Sequence, residues 1–108
     1  WIKTFCIRQT NARAPLFQTG HMYMTPGVSA LFGDHTWPVC MHLIARHVVG
    51  DWGQMDPEDQ QANRYDATHG ARVFSAYTHP NADGEPTKVW VITEADRAAT
   101  TVLLPDEY

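Results

Sequence analysis

The chain is short of cysteine, short of charge and without a long apolar run, and each shortage removes a class of protein. Two cysteines, Cys6 and Cys40, among 108 residues cannot frame a disulfide scaffold. Cys40 lies in an apolar helical pattern and reads as a small buried hydrophobe, so reduced thiols are favoured over a bridge. No apolar stretch approaches the ~18 residues of a membrane span. The N-terminal Trp1-Ile2-Lys3-Thr4-Phe5-Cys6-Ile7-Arg8-Gln9 lacks the apolar core of a secretory signal. With so few cysteines, the expected location is the cytoplasm. A first residue that is Trp and not Met reads as a trimmed or processed start. Charged residues make up 19% of the chain, below the roughly 25% of an average domain.

That charge is also uneven. Residues 1–50 carry four basic side chains against one acid, and residues 51–108 carry four against eleven, which gives the net charge of −4. An excess of acid disfavours direct nucleic-acid binding, which depends on neutralising phosphates. It suits contact with a basic protein surface, and equally a face kept soluble by charge.

What is present is enough for one core. The apolar share is 44%, with four Trp, four Tyr and four Phe, and 108 residues make one domain rather than two. Residues 1–20 show no clear period and read as a flexible or loosely docked arm, with Trp1, Phe5 and Ile7 able to alternate in an extra edge strand. The domain proper is expected over residues 21–108. Thr25-Pro26-Gly27 opens a short helix over 26–32, with Thr25 as cap and Gly33 as stop. Cys40, Leu43, Ile44 and His47 or Val48 form one apolar stripe, which predicts a helix over 38–49. Asp56-Pro57-Glu58-Asp59 is the clearest helix start, and the spacing predicts a third helix over 57–68 with Ala62, Tyr65 and Ala67 inward. Strands are expected over 72–78, 88–93 and 100–104, with turn formers at 79–87 between the first two. The fold class is therefore α+β: two to three N-terminal helices packed on a C-terminal three-stranded antiparallel meander.

The sequence offers little chemistry. It contains no HExxH, CxxC, P-loop, GxGxxG or GxSxG. His42 and His47, five apart, point to nearly opposite sides of a helix, and Cys40 and His42 also diverge. No catalytic residue, metal ligand or cofactor is assigned. The candidate partner-binding residues are Asp51, Trp52, Asp59, Asn63, Glu94, Asp96 and Arg97. Glu94, Asp96 and Arg97 admit two readings: a carboxylate pair with an anion-holding arginine, or a bend capped by Asp96 with Arg97 paired to Glu94 or a helix acid. Asn63 within a helix suggests a bond to Asp59, Asp51 or a loop backbone, or contact with a partner. Trp52 reads as a core or cover residue, or as a ligand stacker.

Several blocks resemble a family. They are Arg46-His47-Val48-Val49-Gly50-Asp51-Trp52-Gly53, then Asp56-Pro57-Glu58-Asp59 with Ala62-Asn63, and Arg72-Val73-Phe74-Ser75-Ala76-Tyr77. Val89-Trp90-Val91-Ile92-Thr93-Glu94-Ala95-Asp96-Arg97 and Thr100-Thr101-Val102-Leu103-Leu104-Pro105-Asp106-Glu107-Tyr108 complete the set. Over residues 22–108 they resemble small bacterial plasmid and integrative-element proteins, some labelled as a type I restriction endonuclease M subunit. The methyltransferase chemistry of that label does not carry over, because this chain lacks the glycine-rich cofactor loop and the Asn-Pro-Pro-Tyr type motif. The resemblance implies the company of a bacterial mobile element and supplies no catalytic residues. It favours a non-enzymatic acidic binding protein, of anti-defence (anti-restriction or anti-CRISPR-like) or plasmid accessory type, acting by protein–protein contact. A small ribonuclease toxin of the RelE or BrnT kind, by fold-level analogy, and a small metal-dependent enzyme using Glu94, Asp96, His47 or His69 are the alternatives.

Overall fold

The computed structural model describes residues 14–108. In chain order it holds β1 (His21–Met24), α1 (Pro26–Phe32), α2 (Thr36–Val48), α3 (Pro57–His69), β2 (Val73–Pro80), β3 (Pro86–Thr93) and β4 (Ala99–Leu103). Short 3₁₀ turns occupy Gly33–His35 and Pro105–Glu107. The class is α+β, and none of the described helices is long and apolar enough to cross a membrane.

The helix starts follow their caps. Thr25 Oγ1 accepts the Val28 N–H, and Asp56 Oδ1 accepts the Asp59 N–H at 2.9 Å, each ahead of a proline in the first turn. The α2 stripe buries Thr36, Val39, Cys40, Leu43, Ile44 and His47. With Val28 and Phe32 of α1, its apolar members pack on Tyr77, Val89, Val91 and Val102. These sheet residues share one face, because side chains alternate along a strand and the register aligns Tyr77 with Val89 and Val91 with Val102.

The sheet is larger than the expected meander. β2, β3 and β4 are antiparallel neighbours, and β1 then joins β4 in parallel, for the order β1-β4-β3-β2. The N-terminal strand expected around Phe5 and Ile7 lies outside the described residues. The arm from residue 14 onward is packed: Leu16 N–H donates to the Val48 carbonyl at 2.7 Å, and Phe17 is buried with Trp52, Ala67 and Val73.

The helices do not share one sheet face as expected. α1 and α2 cover it, whereas α3 lies along the outer edge of β2. That edge exposes backbone groups that need partners. Asn63 meets them at Phe74: its Oδ1 accepts the Phe74 N–H at 3.3 Å and its Nδ2 donates to the Phe74 carbonyl. Two residues on, Ala76 N–H donates to the Trp52 carbonyl at 3.1 Å and Gln54 N–H donates to the Ala76 carbonyl at 2.6 Å. Gly53 lies between these bonds at φ +75°, where a Cβ would collide with the Ala76 carbonyl. The inward face of α3 is therefore Asn63 and Ala67. Ala62 and Tyr65, expected inward, are exposed. In this helix the edge of β2, and not apolar periodicity, decides the orientation.

Asn63→Ala removes both bonds to Phe74 at once. Unfolding in urea should show a loss of about 1–3 kcal/mol, with faster amide exchange at Phe74. An unchanged midpoint with unchanged Phe74 exchange would show that α3 is held by other means.

Candidate functional site

The candidates from sequence divide into a set engaged along the β2 edge and a solvent-facing set. Trp52 and Asn63 are buried there, with the exposed Asp51 towards one end and the half-buried Arg97 towards the other. Arg46, in the last turn of α2, holds Asp51 through two bonds, Nε to Oδ2 at 2.7 Å and NH2 to Oδ1 at 3.2 Å. The Arg46 guanidinium lies over the Tyr77 ring at 4.5 Å, and the Tyr77 hydroxyl donates to the Asp51 carbonyl at 2.5 Å. Burial pushes the Tyr77 phenol upward from its ordinary value. Trp52 is buried with Phe17, Ala67 and Val73, and its indole N–H has no hydrogen-bond partner among the described residues.

Arg97 closes the other end. It adopts φ +59°, an uncommon conformation for a residue with a side chain. Its guanidinium donates to the carbonyls of Ala71 (2.6 Å), Asp66 (3.0 Å), Glu94 (3.1 Å) and Ala67 (3.2 Å). A cation on the last carbonyls of α3 satisfies acceptors that a helix end leaves open and opposes its negative dipole. The sequence reading offered Glu94 or a helix carboxylate as its partner; the acceptors are backbone oxygens. The Glu94 carboxylate instead meets Arg72 at 3.7 Å, and Asp96 Oδ1 accepts the Ala98 N–H at 2.9 Å. Asp59, Glu94 and Asp96 face solvent.

A polar chain that sequence reasoning did not assemble runs through the interior. His47 is fully buried, with Nδ1 2.5 Å from Ser75 Oγ and Nε2 3.0 Å from Thr93 Oγ1. Thr93 Oγ1 lies 2.7 Å from Thr100 Oγ1, and Thr100 Oγ1 donates to the Thr19 carbonyl at 2.8 Å. That carbonyl only accepts, so it fixes the direction of every proton. Thr100 donates to Thr19, Thr93 donates to Thr100, His47 Nε2–H donates to Thr93, and Ser75 donates to Nδ1. The ring is thus the neutral Nε2–H tautomer. Burial, and secondarily the Arg97 charge, push His47 from 6.5 down to about 3. The signal was present in the sequence: one histidine on the inward stripe of a helix and one serine on the inward face of a strand.

A serine hydroxyl bonded to an imidazole is the geometry of an activated nucleophile. Here Ser75 and His47 both have no exposed surface, so neither presents an atom to a substrate. The pair joins α2 to the sheet. Phe17 and Trp52 seal it, their rings edge-on to His47 with centroids 5.2 and 5.9 Å away. No protein-family model, curated protein or solved structure matches the chain.

The buried imidazole gives stability a pH dependence. The unfolded ring binds its proton near the ordinary 6.5 and the folded ring near 3, so acid favours the unfolded chain between those values. The contribution is complete above 6.5 and falls as pH drops, by about 1.4 kcal/mol per unit. From pH 7 to pH 5 the loss should be about 2 kcal/mol. Urea unfolding of the wild type and His47→Gln at both pH values checks this. Equal pH dependence in the two proteins would overturn the assignment.

Proposed function

We propose that the protein is a non-enzymatic binding module of a bacterial mobile element, meeting a basic protein surface through the outer face of α3. The observation that carries this reading is how α3 is attached. Asp56 caps its start, Asn63 fastens its middle to Phe74, and Arg97 holds its last carbonyls. Those internal bonds leave the outward side chains to solvent.

The outer face has the composition of a recognition surface. Tyr65 is 61% exposed and stacks on His69 at 3.7 Å with the rings nearly parallel. An exposed, preorganised tyrosine brings large contact area at small entropic cost, and tyrosine is enriched at interface centres. The same helix carries Glu58, Asp59 and Asp66, with Arg64 and His69 as its basic side chains. Glu94 and Asp96 extend the acidic surface at the α3 C-terminus, beside the Arg97 contacts. An acidic helix that also presents an exposed aromatic suits a partner whose basic surface normally grips nucleic acid, the contact proposed for an anti-defence factor.

The catalytic alternatives draw on His47, His69, Arg97, Glu94 and Asp96. His47 is enclosed, His69 stacks on Tyr65 with Nδ1 2.7 Å from the Tyr65 carbonyl, Arg97 donates to four carbonyls, Glu94 pairs with Arg72, and Asp96 caps a turn at the surface. A ribonuclease toxin needs free cationic groups for phosphate, and the Arg97 guanidinium is engaged.

Immobilised protein should retain a basic partner from bacterial lysate at low salt and release it at high salt, as screened charges require. Tyr65→Ala with Asp59→Lys should weaken that retention about tenfold or more, with the melting temperature as control for folding. Retention that is indifferent to both salt and the double variant would overturn the reading.

A further inference from the structure

The hairpin between β2 and β3 and the first turns of α2 enclose a cleft of about 340 Å³, lined by Phe32, Pro38, Val39, His42, His79 and Pro80 among others. This volume falls at the small end of the range for sites that take small molecules. The cleft stands apart from the outer face of α3, so an inference about it does not rest on the function proposed above.

The walls are fixed without a ligand. Ala82 N–H donates to the Leu31 carbonyl at 2.9 Å and ties the hairpin to α1. Asn81 Oδ1 accepts the N–H groups of Asp83 at 2.9 Å and Glu85 at 3.1 Å, which sets the hairpin loop. Phe32 and Val39 are buried and form the floor. The rings of Phe32, His79 and His42 follow one another edge to face, with successive centroids 5.8 and 6.4 Å apart. A preformed cleft binds without the cost of ordering its own walls.

One wall carries an unused acceptor. His79 Nδ1 lies 2.8 Å from the Pro80 carbonyl oxygen, and a carbonyl can only accept. Nδ1 therefore holds the proton, and in the neutral ring Nε2 holds a lone pair. Among the described residues no group donates to that nitrogen, and neither ring nitrogen of His42 has a hydrogen-bond partner. Rings and prolines on the walls favour a flat aromatic guest through edge-to-face contact. An acceptor on such a wall selects a guest that carries a donor, because a guest without one leaves it unpaired.

From this geometry we infer that the cleft is a binding site for a small planar aromatic molecule bearing one N–H or O–H group, which donates to His79 Nε2. Indole and N-methylindole make the test, since they differ at the donor and share the ring system. Titrated into the wild-type protein, indole should shift the backbone amide resonances of Phe32, Val39, His42 and Ala82. N-methylindole should bind about five- to tenfold more weakly. In His79→Leu the two probes should bind alike. Equal affinity of the two probes for the wild type, or no shifts at these amides at millimolar indole, would overturn the inference; neither outcome depends on whether the variant folds.

Discussion

His47 is a polar ring at the centre of an apolar interior, and the arrangement of the surrounding elements depends on how its two nitrogens are satisfied. An imidazole buried without partners would cost several kilocalories per mole. Here one nitrogen meets β2 through Ser75 and the other meets β3 through Thr93, which continues to β4 through Thr100 and to the arm through Thr19. A helix, three strands and the segment before β1 are thereby joined by four hydrogen bonds in one line. The line also specifies register. A slip of one residue in β2 or β3 would carry its hydroxyl to the opposite face of the sheet and leave a neighbour without a partner. Apolar packing alone accepts many arrangements; a directional chain ending on a carbonyl accepts one.

The second constraint is the outer edge of β2, and it explains why α3 exists where it does. The helix buries little apolar surface, since Asn63 and Ala67 are its only buried residues. Its attachment is polar at the start, the middle and the end. Such a helix gains less from tertiary packing than α2 does, so it should be among the first elements to open locally. Arg97 links this constraint to the first one. The same guanidinium that holds the end of α3 lies close enough to His47 to disfavour its protonation, so loop, helix end and core ring form one electrostatic unit. Four carbonyl acceptors and the Phe17 ring, 5.3 Å from the guanidinium, account for a side-chain-bearing residue held at positive φ.

Much of the fold was legible because its signals are local. Thr25-Pro26 and Asp56-Pro57 mark helix starts by chemistry that lies within three residues, and the structure places α1 and α3 where those caps put them. The alternation at Val73, Ser75 and Tyr77 shows its inward face directly. β1 was not legible, since four residues carry little period and its partner β4 is far along the chain. The orientation of α3 was not legible either. Periodicity favours Ala62 and Tyr65 as inward residues, but the buried position belongs to Asn63, whose value lies in a backbone edge formed by other residues. The same holds for Arg97: a nearby carboxylate is visible in sequence, whereas open helix carbonyls from another element are not.

These constraints also decide where function can reside. A buried histidine and serine and a half-buried arginine within a small domain invite a catalytic reading; the first two have no exposed surface, and the guanidinium of the third is engaged by four carbonyls. Their satisfaction fixes the interior and the β2 edge. The side chains left outward on α3 are then held on a framework they do not themselves stabilise, so they can vary in charge and shape while the fold remains. In a protein that contacts others, this separation has a physical use. On the proposed reading Tyr65 and the acids of α3 would meet a partner's surface, while Asn63 and Arg97, on the same helix and at its end, fasten that helix to the rest of the fold.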